Sequence, residues 1–248
     1  MSQALLIGFH VISCIQFAFS VYYDFNFTIV PKGIIKMHGS YGGKFKFLTF
    51  WDAISYCDSK MNCIIQAVFF FLCILNDIYG TNKVAPKQTP LLRRIKDYFH
   101  ATFSFPLAMF VGITFWSLMF FDRELVLPKA LDPYFPWWLN HLMHTMIMIT
   151  TVLEMISAPR QYPKQKSGYI GLYALMISYL IWIHIIYYKS GVWVYPVMEV
   201  LSWPLRILFF ISLFGFTGLL YYAGEVIDNL IWGSKKSKNH QKSMTKSK

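Results

Sequence analysis

Charge is scarce in this sequence, and negative charge most of all. Only 14% of its residues are charged, with twelve Asp and Glu against twenty-three Lys and Arg, while 56% are hydrophobic. A water-soluble domain of 248 residues has too small an interior to hide that much apolar surface. Cysteine is scarce as well. Cys14, Cys57, Cys63 and Cys73 lack the spacing of a zinc module. A Cys57–Cys63 disulfide in a lumenal loop is only weakly indicated. Several motifs are missing altogether: no Gly-x-Ser-x-Gly elbow, His-Glu-x-x-His, Walker loop or Rossmann fingerprint occurs. The glycines at Gly39, Gly42 and Gly43 read as a turn. No internal repeat is visible, which argues against a repeat-built transporter.

What is present is a series of apolar runs of about 20 residues, the length that crosses a bilayer. They are Ala4–Tyr23, Asn62–Tyr79, Ala101–Phe121, Trp137–Ser157, Gly168–Tyr188 and Leu205–Tyr222. The first has no charged leader and no small-residue cleavage site, so it reads as a retained span. The expected fold is all-α: a polytopic membrane bundle of about six helices over residues 1–233. A basic tail, 234–248, is expected to be disordered. The net charge of +11 fits topology and lipid contact better than nucleic-acid binding. Lys and Arg cluster in Gly80–His100, Ala158–Ser167 and the tail, which together hold fourteen of the twenty-three. By the positive-inside rule both termini are cytosolic. The Asp24–Lys60 loop, with five lysines, dissents. The protein is expected to be integral and multi-pass, in an endomembrane (ER) or the plasma membrane, and no sequence address separates these.

The Trp137–Ser157 segment carries a polar face. Successive helical residues turn by about 100°, which brings Asn140, His141, His144 and Thr145 together. His144 lies about 10 Å along the axis from Trp137, at the outer end of the span in this topology. "FDRE" (Phe121–Glu124) and "GVWVYPVMEV" (Gly191–Val200) reach the same side. An intramembrane polar cluster is a functional-site candidate. His144 suits a general base, and Asn140 and His141 suit groups that orient it or hold an oxyanion. Three other readings stay open: a hydrogen-bonded core histidine, a metal held by His141 and His144, and a haem shared with His184. The metal reading lacks a nearby Cys or carboxylate, because Glu154 is about 15 Å further along. Thr49, at the same outer level, is a hydroxyl that could serve as nucleophile.

Seven stretches, in order, carry a family resemblance: "GGKFKFLTF" (Gly42–Phe50), "QAVFF" (Gln66–Phe70), "FDRELVLPKALD" (Phe121–Asp132), "WLNHLMHT" (Trp138–Thr145), "QYPKQKSG" (Gln161–Gly168), "GVWVYPVMEV" (Gly191–Val200) and "YYAGEVIDNLIW" (Tyr221–Trp232). On these the chain resembles the androgen-induced-gene and androgen-dependent TFPI-regulating protein family of multi-span membrane proteins. The resemblance implies an intramembrane threonine hydrolase that cleaves fatty acid esters of hydroxy fatty acids without a cofactor or metal. It places the nucleophile at Thr49 and its partner at His144. Asn140, His141, Arg123 and Glu199 are then candidate oxyanion, orienting or pocket residues. The implied partners are a lipid ester substrate and membrane lipids. The alternative is a non-enzymatic membrane scaffold or signalling protein that keeps the fold. Compared with the family pattern, roughly ten extra residues separate Thr49 from "QAVFF". One helix from Phe45 to Tyr79 would be about 52 Å long, too long for an untilted span. The sequence therefore predicts a break over Asp58–Asn62, where Asp58 and Lys60 are costly in hydrocarbon.

Overall fold

The computed structural model describes residues 2–28, 59–84, 86, 88–191 and 193–245, with side chains assigned up to Ser234. Thr49 and Cys57 lie outside these residues. Helix α1 is Gln3–Phe27, opened by Ser2, whose hydroxyl accepts from the Leu5 N–H. Helix α2 is Ser59–Tyr79. Helix α3, Leu91–Phe99, passes through a π-helical turn, His100–Ser104, into α4, Phe105–Phe121. Helix α5, Trp137–His141, continues through a second π turn, Leu142–Met146, into α6, Ile147–Ser157. Then come α7 (Gln165–Ser190), a short α8 (Pro196–Val200) and α9 (Trp203–Thr245). Among the described residues there is no strand.

Five helices are long and apolar enough to cross a membrane: Gln3–Phe27, Asn62–Tyr79, Leu91–Phe121, Gln165–Ser190 and Trp203–Ser234. The sixth expected segment, Trp137–Ser157, is helical throughout. Asn140, His141, His144 and Glu154 lower its hydropathy, and it is absent from those five. Two boundaries need correcting. Residues 59–62 are already helical in α2, so the break expected over Asp58–Asn62 does not fall within 59–62, and Asp58 lies outside the described residues. The third rod starts at Leu91, ten residues before the apolar run at Ala101, because the amphipathic α3 leads into it with Arg93, Lys96 and Asp97 buried. At the other end of the chain, α9 runs helical through the lysine-rich stretch to Thr245.

The rods alternate in direction. The start of α1 meets the ends of α2 and α6, where His10 touches Asp77 and Glu154. The end of α1 meets the start of α5, where Tyr23 lies edge-on to Trp138 with centroids 4.7 Å apart. The end of α7 meets the start of α9, with His184 5.6 Å from Phe210. The molecule thus has a His144 end and a Glu154 end. The apolar core between them is aromatic-rich. Phe17 of α1 stacks on Phe70 of α2 at 6.0 Å, and both are fully buried with Leu139, Met143 and Ile147. Without a hydrophobic force in lipid, such close packing and interhelical hydrogen bonds hold the rods together.

The two π turns have local causes and consequences. In the first, the Phe105 N–H reaches the His100 carbonyl five residues back. Pro106 follows and has no N–H to continue an α ladder. Gln66 of α2 exploits this wide turn by donating to the Ser104 carbonyl at 2.9 Å, while its own carbonyl accepts from the Ser104 hydroxyl at 2.7 Å. Asn62 donates to the Leu107 carbonyl at 3.0 Å. Thr151 of α6 donates to Gln66 at 3.3 Å, so one buried amide joins three rods.

Candidate active site

The second π turn surrounds His144. π turns inside α-helices are frequent at functional sites, because the extra residue per turn shifts side chains out of the regular face. His144 is fully buried. Its Nδ1 lies 3.0 Å from the Asn140 backbone carbonyl, which can only accept, so Nδ1 carries the proton. The basic nitrogen is therefore Nε2. The ring is clamped against Phe115 of α4, with centroids 3.5 Å apart and planes 16° off parallel. Gly112, one turn back on α4, makes that approach possible. A Cβ there would lie 2.7 Å from the His144 carbonyl oxygen.

Asn140 is also fully buried, and neither its amide oxygen nor its amide nitrogen has a hydrogen-bond partner among the described residues. An unsatisfied amide inside a membrane-embedded bundle is costly. Asn140 lies one turn from His144. His141 is half-buried and differently occupied. Its Nδ1 is 3.1 Å from the Thr145 hydroxyl, which also accepts from the Trp116 indole at 3.2 Å. Trp116 and Trp137 hold the His141 ring from two sides. Of the expected site residues, the fold therefore gathers Asn140, His141 and His144. Arg123 pairs with Asp132 and donates to the Leu127 carbonyl at 3.2 Å, which shapes the 122–132 loop. Glu199 is exposed on α8. The nucleophile candidate, Thr49, is outside the described residues. His184 donates to the Leu180 carbonyl at 2.8 Å on α7.

Beside Phe115 lies a feature that the sequence did not announce. An apolar cavity, partly open to the surroundings, sits between α4, α7 and α9. Val111, Phe115, Leu118, Met176, Ile183 and Leu213 line it, and Tyr195, Val197 and Met198 cap it. The Tyr179 and Tyr195 hydroxyls there hydrogen-bond to each other.

A second polar cluster fills the Glu154 end. His10 stands between two carboxylates, with Nδ1 2.6 Å from Asp77 and Nε2 2.9 Å from Glu154. Glu154 also faces Lys96 at 3.6 Å and Arg160 at 3.7 Å. Arg93 pairs with Asp97 at 2.8 Å and donates to the Thr81 and Pro159 carbonyls. Arg160 reaches Asp228 of α9 at 3.7 Å. All of these charged side chains are buried. Burial also pushes the nearby Tyr162 phenol above its ordinary range, so it stays neutral. The ligand atoms of His10, Cys73 and Glu154 lie within 4.8 Å of one another, close enough for one ion. Lys96 and Arg160 already supply positive charge to Glu154, which makes an ion-pair network the better account. The signal for it was available in the sequence: His10 and Glu154 sit inside apolar runs, and such residues seek partners.

The model of the FAR-17a/AIG1-like protein family matches residues 5–229. The chain is 36% identical over 215 residues to the human androgen-induced gene 1 protein, covering 84% of this chain and 86% of that one. It is 39% identical over 194 residues to the rat androgen-dependent TFPI-regulating protein, covering 78% and 79%. No solved structure gives a significant match. With its long apolar helices and these relatives, the chain is an integral, multi-pass membrane protein, and it belongs to the FAR-17a/AIG1-like family.

Proposed function

We propose that the chain is an intramembrane lipid-ester hydrolase, acting on fatty acid esters of hydroxy fatty acids with Thr49 as nucleophile and His144 as base. The observation that carries this reading is the state of His144. It is buried in a π turn, its Nδ1 proton is held by the Asn140 carbonyl, and its ring is fixed on Phe115. That makes Nε2 the proton-accepting nitrogen, the arrangement a base needs. In the proposed reaction, Nε2 takes the Thr49 hydroxyl proton as the Thr49 oxygen attacks the ester carbonyl. The C–O bond to the hydroxy fatty acid breaks, and its oxygen leaves with the proton from His144. Water then attacks the acyl-threonine with His144 again as base, releasing the fatty acid and restoring Thr49. The buried Asn140 amide supplies a donor to the oxyanion. A site among membrane helices suits an ester whose chains remain in lipid.

The test is labelling with a lipid-like hydrolase probe together with ester hydrolysis. Thr49→Ala and His144→Ala should each abolish both while the protein still inserts, because nucleophile and base act as one unit. His141→Ala should lower the rate about tenfold to a thousandfold, as for a supporting donor. Full hydrolysis by Thr49→Ala would end the threonine mechanism. No hydrolysis by the unmodified chain would leave the scaffold reading.

A further inference from the structure

The cavity beside Phe115 has no part in the chemistry above, yet it shares a wall with it. Phe115 presents a face to His144 and also lines the cavity. The lining runs down α4 from Leu118 to Phe110, about 12 Å along the axis. Towards Phe110, Met176 and Phe214 its lining packs on the buried cluster of Leu107, Leu172 and Tyr221. Among the described residues, the only hydroxyls on its wall are those of Thr114 and of the mutually bonded Tyr179 and Tyr195, and no charged residue lines it. The space is therefore apolar.

These properties exclude the carboxylate end of the ester and admit a hydrocarbon chain. The hydroxy-acid arm carries a carboxylate, whose burial without a partner is prohibitive. The acyl arm is an unbranched hydrocarbon that ends in a methyl group. We propose that this cavity is the acyl-chain subsite: it takes the acyl arm, the one retained on the enzyme as acyl-threonine, with its methyl end towards Met176 and Phe214. The proposal rests on the hydrolase reading. It assigns specificity for that arm's length to Leu213, Val111 and Met176, and it leaves the carboxylate arm outside the cavity.

The experiment compares butanoyl and palmitoyl esters of one hydroxy fatty acid, using the full chain in detergent or vesicles. Leu213→Trp fills the cavity midway. It should lower kcat/KM for the palmitoyl ester by at least about tenfold relative to the butanoyl ester. Leu213→Ala lengthens the space and should move the ratio in the opposite direction, which also covers a Trp variant that folds poorly. Lengthening the hydroxy-acid arm instead should leave the variant-to-wild-type ratio unchanged. Equal effects of both variants on the two acyl esters, with labelling intact, would show that a bilayer lipid tail or nothing occupies the cavity and would overturn the subsite. Failure of the unmodified chain to hydrolyse either ester would instead remove the hydrolase reading, and the subsite with it.

Discussion

At the scale of single residues, Asn140 poses the sharpest question. Its buried amide has no partner among the described residues, which costs about 1–3 kcal/mol, and the bundle keeps it one turn from His144. An ordinary core position would hold Leu. We therefore expect Asn140→Leu to leave the melting temperature unchanged or raise it, while ester hydrolysis falls about a hundredfold to a thousandfold, the loss typical of an oxyanion donor. Thermal unfolding in detergent and turnover of the same preparation measure the two effects. Loss of stability with unchanged turnover per folded molecule would mark Asn140 as structural. The gathering of Asn140, His141 and His144 was legible in the sequence because helical spacing alone decides it. Phe115 was not, since a stacking partner from another rod leaves no trace in local pattern. Arg123 and Glu199 are site candidates because their segments reach the same end of the bundle as His144, but segment position does not decide side-chain direction: Arg123 pairs with Asp132 and Glu199 is exposed on α8.

At the scale of elements, the two π turns set what regular helices could not. Apolar periodicity marks where a rod runs but carries no mark of one extra residue in a turn. Pro106 was the available hint for the first, and Gly112 for the fit of the second. Gly112 faces the His144 turn so closely that an added methyl clashes with both the Met148 side chain and the His144 carbonyl oxygen. Overpacking of this kind costs about 1–3 kcal/mol. Gly112→Ala should therefore lower the melting temperature and reduce hydrolysis together, with the larger fractional loss in kcat because His144 moves. A Gly112→Ala protein that is less stable but keeps full kcat would separate α4 packing from the orientation of the base. Helix α3 gives the converse lesson. It is too polar to read as part of a span, and it is held instead by the buried pairs of Arg93 and Lys96.

At the scale of the whole molecule, the two polar clusters lie at opposite ends of one helical rod. Ten residues separate His144 from Glu154, about 15 Å of helix. The alternation of rods was readable from the apolar runs, and the lysine-rich loops imply the orientation. Glycosylation acceptors engineered into the 122–136 loop should be modified if the His144 end faces the lumen or exterior, and modification of tail sites would reverse that assignment. The Glu154 end was not anticipated as a structural centre, since its members come from six separate segments. His10 (α1), Asp77 (α2), Lys96 (α3), Glu154 (α6) and Arg160 meet there, and Asp228 brings in α9. Both nitrogens of His10 face carboxylates, which only accept, so a protonated ring satisfies the pair. Four buried carboxylates (Asp77, Asp97, Glu154, Asp228) then balance Arg93, Lys96, Arg160 and His10. Removing one charge leaves its partners uncompensated, which costs about 3–5 kcal/mol for a buried pair. Glu154→Gln keeps the shape and deletes the charge that His10, Lys96 and Arg160 share. We expect it to lower stability by an amount in that range, seen as a drop in melting temperature and in accumulated protein. We also expect kcat per correctly folded molecule to stay within about threefold of the unmodified chain, because the proposed proton transfer at His144 needs only groups within hydrogen-bond reach. His10→Leu combined with Glu154→Gln should cost less than the sum of the two single changes, since they share one interaction. Full additivity would show that the His10–Glu154 contact contributes no coupling. A collapse of kcat in Glu154→Gln protein that stays folded would show instead that the two ends of the rod are linked.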